Sequence, residues 1–121
     1  MIRQLRWRPM RVLTVVGNRP QFVKSAPLSM ALREAGIAEV VVHTGQHWDA
    51  ELSQVFFEEL GLPEPAHRLD LRTADVDALT PAVRGVVEAE RPDAVVVLGD
   101  TNSTLAGARA AAAVGTPLAH V

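Results

Sequence analysis

Short apolar runs alternate along this chain with longer stretches in which apolar residues recur at helical spacing. The runs are Val12 to Val16, Val40 to His43, Ala94 to Leu98 and Leu118 to Val121. They are rich in Val and Leu and show no polar alternation, the pattern of parallel strands covered on both faces. A weaker run, Arg68 to Leu71, alternates and reads as a short strand or an extended loop. Four helices are expected between the runs. In the first, Ser25 caps, Pro27 sits in the opening turn, and Leu28, Ala31, Leu32 and Ala35 form the apolar stripe before Gly36. In the second, Asp49 caps, Leu52, Val55, Phe56 and Leu60 face inward, and Gly61 with Pro63 ends it. The third starts at Thr80 with Pro81 in its first position and runs through Val83, Val86 and Val87 toward Arg91-Pro92. The fourth opens at Asn102 or Ser103, continues through the alanines and stops at Gly115. The order βαβα(β)αβαβ predicts an α/β fold, a doubly wound parallel Rossmann-like sheet.

Two turns follow buried strands and lead into helices, where open α/β sheets bind ligands. Gly17-Asn18-Arg19-Pro20-Gln21-Phe22-Val23-Lys24 brings two cations, and Arg19 and Lys24 suit phosphate oxygens at a helix N-terminus. Gly99-Asp100-Thr101-Asn102-Ser103-Thr104 brings a carboxylate and a row of hydroxyls. Asp100 is placed there for acid–base work or for a substrate hydroxyl, although a capping aspartate would look the same. Neither a dinucleotide fingerprint nor a P-loop is present. Together the turns read as a site for a phosphorylated small molecule.

Composition narrows the class. A chain of 121 residues with 48% apolar and 21% charged residues is large enough for one domain with a core. A net charge of −2 gives no broad positive field for nucleic acid. The chain has no cysteine, which excludes disulfides, thiolate chemistry and cysteine-based zinc sites. His43 and His47 are four apart, but Gly45 between them makes a loop rather than a helical metal pair, so no metal is expected. His120 stands at a strand end on the ligand side. No run is long enough to cross a bilayer, and the basic residues 1–10 lack the apolar segment of a secretory signal. They read as a disordered lead-in, and the chain as cytoplasmic with no membrane partner.

The segments Gly17 to Lys24, His43-Thr44-Gly45-Gln46-His47 and Gly99 to Thr104 resemble the non-hydrolysing UDP-N-acetylglucosamine 2-epimerases. Phe56-Phe57-Glu58-Glu59-Leu60-Gly61-Leu62-Pro63 and His120-Val121 extend the likeness in the same order. The Arg-Pro-Gln-Phe and His-Thr-Gly-Gln-His forms are also similar to relatives acting on UDP-diacetamido-glucuronate. The resemblance implies a two-lobed glycosyltransferase-B-like fold, an isomerase of cell-surface polysaccharide biosynthesis, and a UDP-sugar in the cleft between lobes. It implies inversion at C2 by elimination and re-addition of UDP, without a cofactor. By the same resemblance, Arg19 and Lys24 serve the diphosphate, Thr101 contacts substrate and Asp100 takes a catalytic or orienting role. Gln46 and His47 match a second, regulatory nucleotide-sugar site of some members, and full-length relatives are expected to be homodimers.

The family continues past His-Val into Glu-Ala-Gly-Leu-Arg, which carries a further carboxylate, and into a second lobe. Residues 11–121 are therefore expected to be a partial N-terminal lobe, inactive alone, with the second lobe absent. The segment Arg72 to Arg91 is about a helical turn short and lacks a Gln-Thr pair, for which Thr80 is the nearest counterpart. A non-catalytic nucleotide-sugar binding module is the alternative, and the strand pattern alone also allows a flavodoxin-like binding domain.

Overall fold

The computed structural model describes residues 9–45 and 65–121. The helix expected from Asp49 to Gly61 and the loop carrying Gln46 and His47 lie outside the described residues. The elements are β1 (Arg11–Val16), α1 (Arg19–Glu34), β2 (Ala38–His43), β3 (His67–Arg68), α2 (Val76–Glu90), β4 (Ala94–Val97), α3 (Asn102–Val114) and β5 (Leu118–His120). All paired strands are parallel, in the order β3-β2-β1-β4-β5. This is the doubly wound sheet that the apolar runs imply.

Alternation along the strands sorts the core into two layers. Leu13, Val15, Val42, Val95 and Val97 pack with Val83, Val86 and Val87 of α2 and Ala110 and Ala111 of α3. On the other face Val16, Val41 and Leu98 pack against Leu28 of α1. The weaker run forms only the two-residue β3, beginning one residue earlier than expected, and Leu69 after it packs on the α2 and α3 layer. The Leu118 to Val121 run forms β5 as expected, but its residues are exposed rather than covered on both faces.

Two helices begin earlier than their prolines suggest. Helix α1 starts at Arg19, capped by Asn18, whose side chain accepts from the Gln21 amide. Pro20, not Pro27, occupies the opening turn, where its fixed φ fits and its missing N–H costs nothing. Helix α2 starts at Val76 with Asp75 as its cap, so Pro81 is interior. An interior proline costs about 3 kcal/mol in general. Both Pro27 and Pro81 lie on exposed sides, where water can serve the carbonyl that loses its partner. Helix α3 matches expectation, with Thr101 as its cap and Gly115 in the left-handed conformation at its end.

The stripe assigned to α1 is also corrected. Ala31 and Ala35 are exposed, and the buried line along the helix is Gln21, Ser25 and Ser29, spaced four apart. Ser29 Oγ and Thr14 Oγ1 each donate to the Glu39 carboxylate at 2.6 Å. Helix α1 therefore docks through hydrogen bonds flanked by Leu28, which periodicity of apolar residues does not reveal.

Helix α3 lies close on the sheet because Gly107 has no side chain: a Cβ there would meet Val97 Cγ1 at 2.7 Å and Val15 Cγ2 at 3.3 Å. Gly85 in α2 has open space around the same position. One substitution is thus expected to act with opposite signs. Gly85→Ala should stabilise by roughly 0.5–1 kcal/mol through helix propensity. Gly107→Ala should destabilise by about 1 kcal/mol or more, because stiff valines held in strands cannot yield. Urea unfolding of the two variants beside the parent checks the sign of each.

Candidate functional site

The strand order reverses between β1 and β4, with β2 and β3 to one side and β5 to the other. The crevice beyond the carboxyl ends of these two strands is where doubly wound sheets take ligands. Both glycine-led turns open there. Gly17 is needed for close approach, since a Cβ would stand 2.2 Å from Ser103 Oγ and 2.7 Å from Thr44 Oγ1. Those two buried hydroxyls hydrogen-bond each other at 2.8 Å, which gathers the turns after β1, β2 and β4 around one point.

Gln21, in the first turn of α1, spans the crevice. Its Oε1 accepts from the Gly17 amide at 2.7 Å, and its Nε2 donates to the Leu98 carbonyl and to Thr101 Oγ1, each at 2.8 Å. Thr104 Oγ1 lies 3.1 Å from the same nitrogen and itself donates to the Leu98 carbonyl at 2.6 Å. Apolar periodicity gives Gln21 no role. Its signal was the spacing Asn18-x-x-Gln21, the pattern of a capping box, here reaching one residue further back to Gly17.

Asp100, Thr101 and His120 line one groove of about 260 Å³ beside Thr104, Leu105 and Leu118. Asp100 is exposed and is not the cap: Thr101 and Thr104 form a reciprocal capping box at the start of α3. Gly99, at φ 69°, turns the chain between strand and helix, and its carbonyl faces His120 Nε2. A carboxylate, a hydroxyl and an imidazole on one rim are suited to holding a polar ligand and moving protons at it.

The cations are arranged differently. Arg19 is the first residue of α1, and Lys24 lies five residues on and exposed. Five residues of helix are about 140° of rotation and ~7.5 Å of rise, so the backbone does not bring the two to one face. The helix end also offers fewer amides than its position suggests. The Gly17 and Gln21 amides donate within the chain and Pro20 has none. Thr80 lies inside α2 and donates to the Val76 carbonyl. Among the described residues, no group of three or more His, Asp or Glu side chains is placed to hold a metal ion. No helix among them is long and apolar enough to cross a membrane.

A second recess, of about 310 Å³, lies at the ends of β2 and β3 and is lined by His43, Gly45, Arg68 and Asp70. His43 is buried, its Nδ1 accepts from the Gly45 amide at 2.8 Å, and so its proton is on Nε2. Burial, reinforced by the Arg68 charge, pushes its pKa down to about 4. It is a neutral imidazole near pH 7.

Comparison with known proteins decides the family. Residues 30–121 match the family model for UDP-N-acetylglucosamine 2-epimerase. The chain belongs to the UDP-N-acetylglucosamine 2-epimerase family. It is 44% identical over 117 residues to the UDP-2,3-diacetamido-2,3-dideoxy-D-glucuronate 2-epimerase of Pseudomonas aeruginosa, covering 93% of this chain and 33% of that protein. The UDP-GlcNAc 2-epimerase of Methanocaldococcus jannaschii, solved with UDP-GlcNAc and UDP, superposes with a TM-score of 0.83 at 36% identity, over 93% of this chain and 32% of that one. The enzyme of Neisseria meningitidis bound to UDP-GlcNAc gives 0.79 at 29% identity, over 93% and 31%. The chain spans about a third of the length of the curated relatives it matches.

In this epimerase-family chain His43 makes folding sensitive to acid. Its folded pKa, about 4, lies below the ordinary 6.5, so the unfolded chain binds a proton between those values that the folded chain does not. Stability should fall by about 2 kcal/mol from pH 7 to pH 5 on this account. Glu90, held below its usual range by hydrogen bonds from His67 and Arg11, contributes stability above the ordinary carboxylate pKa that is lost at lower pH. His43→Asn keeps an acceptor near Nδ1 and should flatten the pH 5–7 slope, read from urea midpoints at several pH values.

Proposed function

We propose that this chain forms the lobe of a UDP-N-acetylated-sugar 2-epimerase that carries the first half of its nucleotide-sugar site. The observation that carries this reading is the Gln21 bridge, which joins the cationic turn after β1 to the Asp100 turn after β4 at the switch point of the sheet. Support comes from the relatives of the same fold solved with UDP-GlcNAc and UDP.

In this reading Arg19, at the first position of α1, neutralises the diphosphate, and Lys24, on a different face of the helix, adds its charge from further off. That matters because the C2 proton of the sugar is not next to a carbonyl, so leaving-group stabilisation must lower the barrier. A base removes the C2 proton as the C1–O bond to UDP breaks, with the electron pair of the C–H bond forming the C1–C2 double bond of a glycal. UDP then adds back at C1 while a proton is delivered to the opposite face of C2. Atoms balance with no redox partner, and no dinucleotide is called for. Asp100 serves as an acid–base or substrate-orienting carboxylate, with Thr101 beside it and His120 on the same rim. Gln46 and His47 belong to a second nucleotide-sugar contact in this proposal. The remaining acid–base groups and the lobe that closes over the sugar lie in the two-thirds of the relatives that this chain does not match. Residues 11–121 alone are then a binding lobe without turnover, working in the cytoplasm, and the full-length form is a homodimer.

Arg19→Ala should weaken UDP binding by roughly 1.5–3 kcal/mol, the worth of a charge-assisted contact. Titration calorimetry on folded variant and parent reads this directly, and equal affinities would remove the diphosphate role. For Asp100, the test requires a chain carrying this lobe together with the rest of the enzyme. There Asp100→Asn, which keeps shape and deletes basicity, should abolish deuterium incorporation at C2 while UDP still binds. NMR of UDP-GlcNAc in deuterated water follows the exchange, and unchanged incorporation would exclude Asp100 from proton transfer.

A further inference from the structure

We propose that Gln21 is the positioning residue of the nucleotide-sugar site, setting the Thr101 hydroxyl as a hydrogen-bond donor to an anionic oxygen of the ligand. The proposal rests on the reading above and adds the residue that registers the two turns and the chemistry that one of them presents.

Gln21 is 2% exposed, so it acts through its neighbours rather than by contact with ligand. Its bonds require both polarities at once. Gly17 N–H needs an acceptor and the Leu98 carbonyl needs a donor, and one amide at the end of two methylenes supplies both. A carboxylate in its place has no N–H, an ammonium has no acceptor, and asparagine is one methylene short. The amide therefore has one orientation, with Oε1 toward β1 and Nε2 toward β4.

That orientation fixes the proton order at Thr101. Thr101 Oγ1 receives Gln21 Nε2–H at 2.8 Å and the Thr104 amide at 3.3 Å, which occupies both of its lone pairs. Thr104 Oγ1 spends its own proton on the Leu98 carbonyl at 2.6 Å and accepts from the Thr101 amide and from Gln21 Nε2–H, each at 3.1 Å. The Thr101 hydroxyl proton is left with Thr104 Oγ1 at 3.2 Å, a long contact to an oxygen whose lone pairs are already engaged. An oxygen carrying negative charge is a much better acceptor. Thr101 lines the groove with Asp100 and His120, so the network holds a donor at its rim that favours a charged phosphate oxygen over a neutral sugar oxygen. The same bridge fixes how far this donor stands from the turn that opens into Arg19.

The test uses UDP titrations and amide NMR spectra of the 121-residue chain. Gln21→Met keeps length and helix propensity and deletes both polarities. It should weaken UDP binding at least ten-fold and move the amide resonances of Gly17 and of residues 99–104, leaving α2 unmoved. A merely structural role is separated by a double-mutant cycle: Gln21→Met added to Thr101→Val should cost less than two-fold beyond Thr101→Val alone. Val83→Ala, on the opposite face, should lower stability and leave UDP affinity within two-fold. Full additivity in the cycle, or a Gln21→Met chain with parental affinity and unmoved 99–104 amides, overturns the proposal. If Gln21→Met does not fold, Thr104→Val probes the network from the other side and must shift the Gly17 amide and weaken UDP several-fold; no shift there overturns the proposal equally. A parent chain that does not bind UDP overturns the proposed function instead, a result distinct from a binding parent with an unaffected variant.

Discussion

A buried primary amide between two strand ends is the contact on which the site depends. Gln21 accepts from the turn that ends β1 and donates to the turn that ends β4, and no apolar side chain could replace that pair of polarities. Desolvating the amide is tolerable because each of its atoms finds a partner. The consequence extends along α1. With Gln21, Ser25 and Ser29 as its buried line, the helix is oriented by directional bonds to turn and strand, with Ser29 and Thr14 meeting at Glu39. Directional bonds define a rotation about the helix axis more sharply than an oily stripe does, and that rotation sets which faces of α1 carry positions 19 and 24.

Close approach is the second constraint. Gly17 lets three turns converge on the Thr44 and Ser103 hydroxyls, and Gly107 lets α3 lie low on β1 and β4. Neither glycine has positive φ, so in both the missing Cβ serves space rather than backbone freedom. Gly99 is the opposite case, with open space around it and a left-handed backbone that turns β4 into α3. These turns bring Asp100 and His120, twenty residues apart, to one groove.

The proposed chemistry follows from how the charges are divided. Arg19 belongs to the turn after β1 and Asp100 to the turn after β4, so in the proposed reaction a diphosphate and a sugar C2 are served by separate groups. The proposed inversion, with proton removal on one face of C2 and delivery on the other, calls for groups beyond Asp100. This agrees with a chain that matches about a third of its relatives.

The sequence alone settled the parallel sheet, because parallel strands covered on both faces demand Val- and Leu-rich runs, although the last of them is exposed, and glycines after those runs marked the ligand edge. It also pointed to the family that the comparisons show, since the Gly17, His43 and Gly99 motifs are local strings whose order survives in one dimension. Local rules misplaced the starts of α1 and α2, where Pro27 and Pro81 were read as opening-turn residues although exposed interior positions tolerate them. The buried polar line of α1 was illegible, because a serine or glutamine facing inward has the same hydropathy as one facing water. Only the tertiary structure supplied the acceptors that decide it, seventy-seven residues away for the Leu98 carbonyl. Tertiary structure also placed His120 beside Asp100 and buried His43 beside Arg68, which sets a titration that no isolated histidine would show.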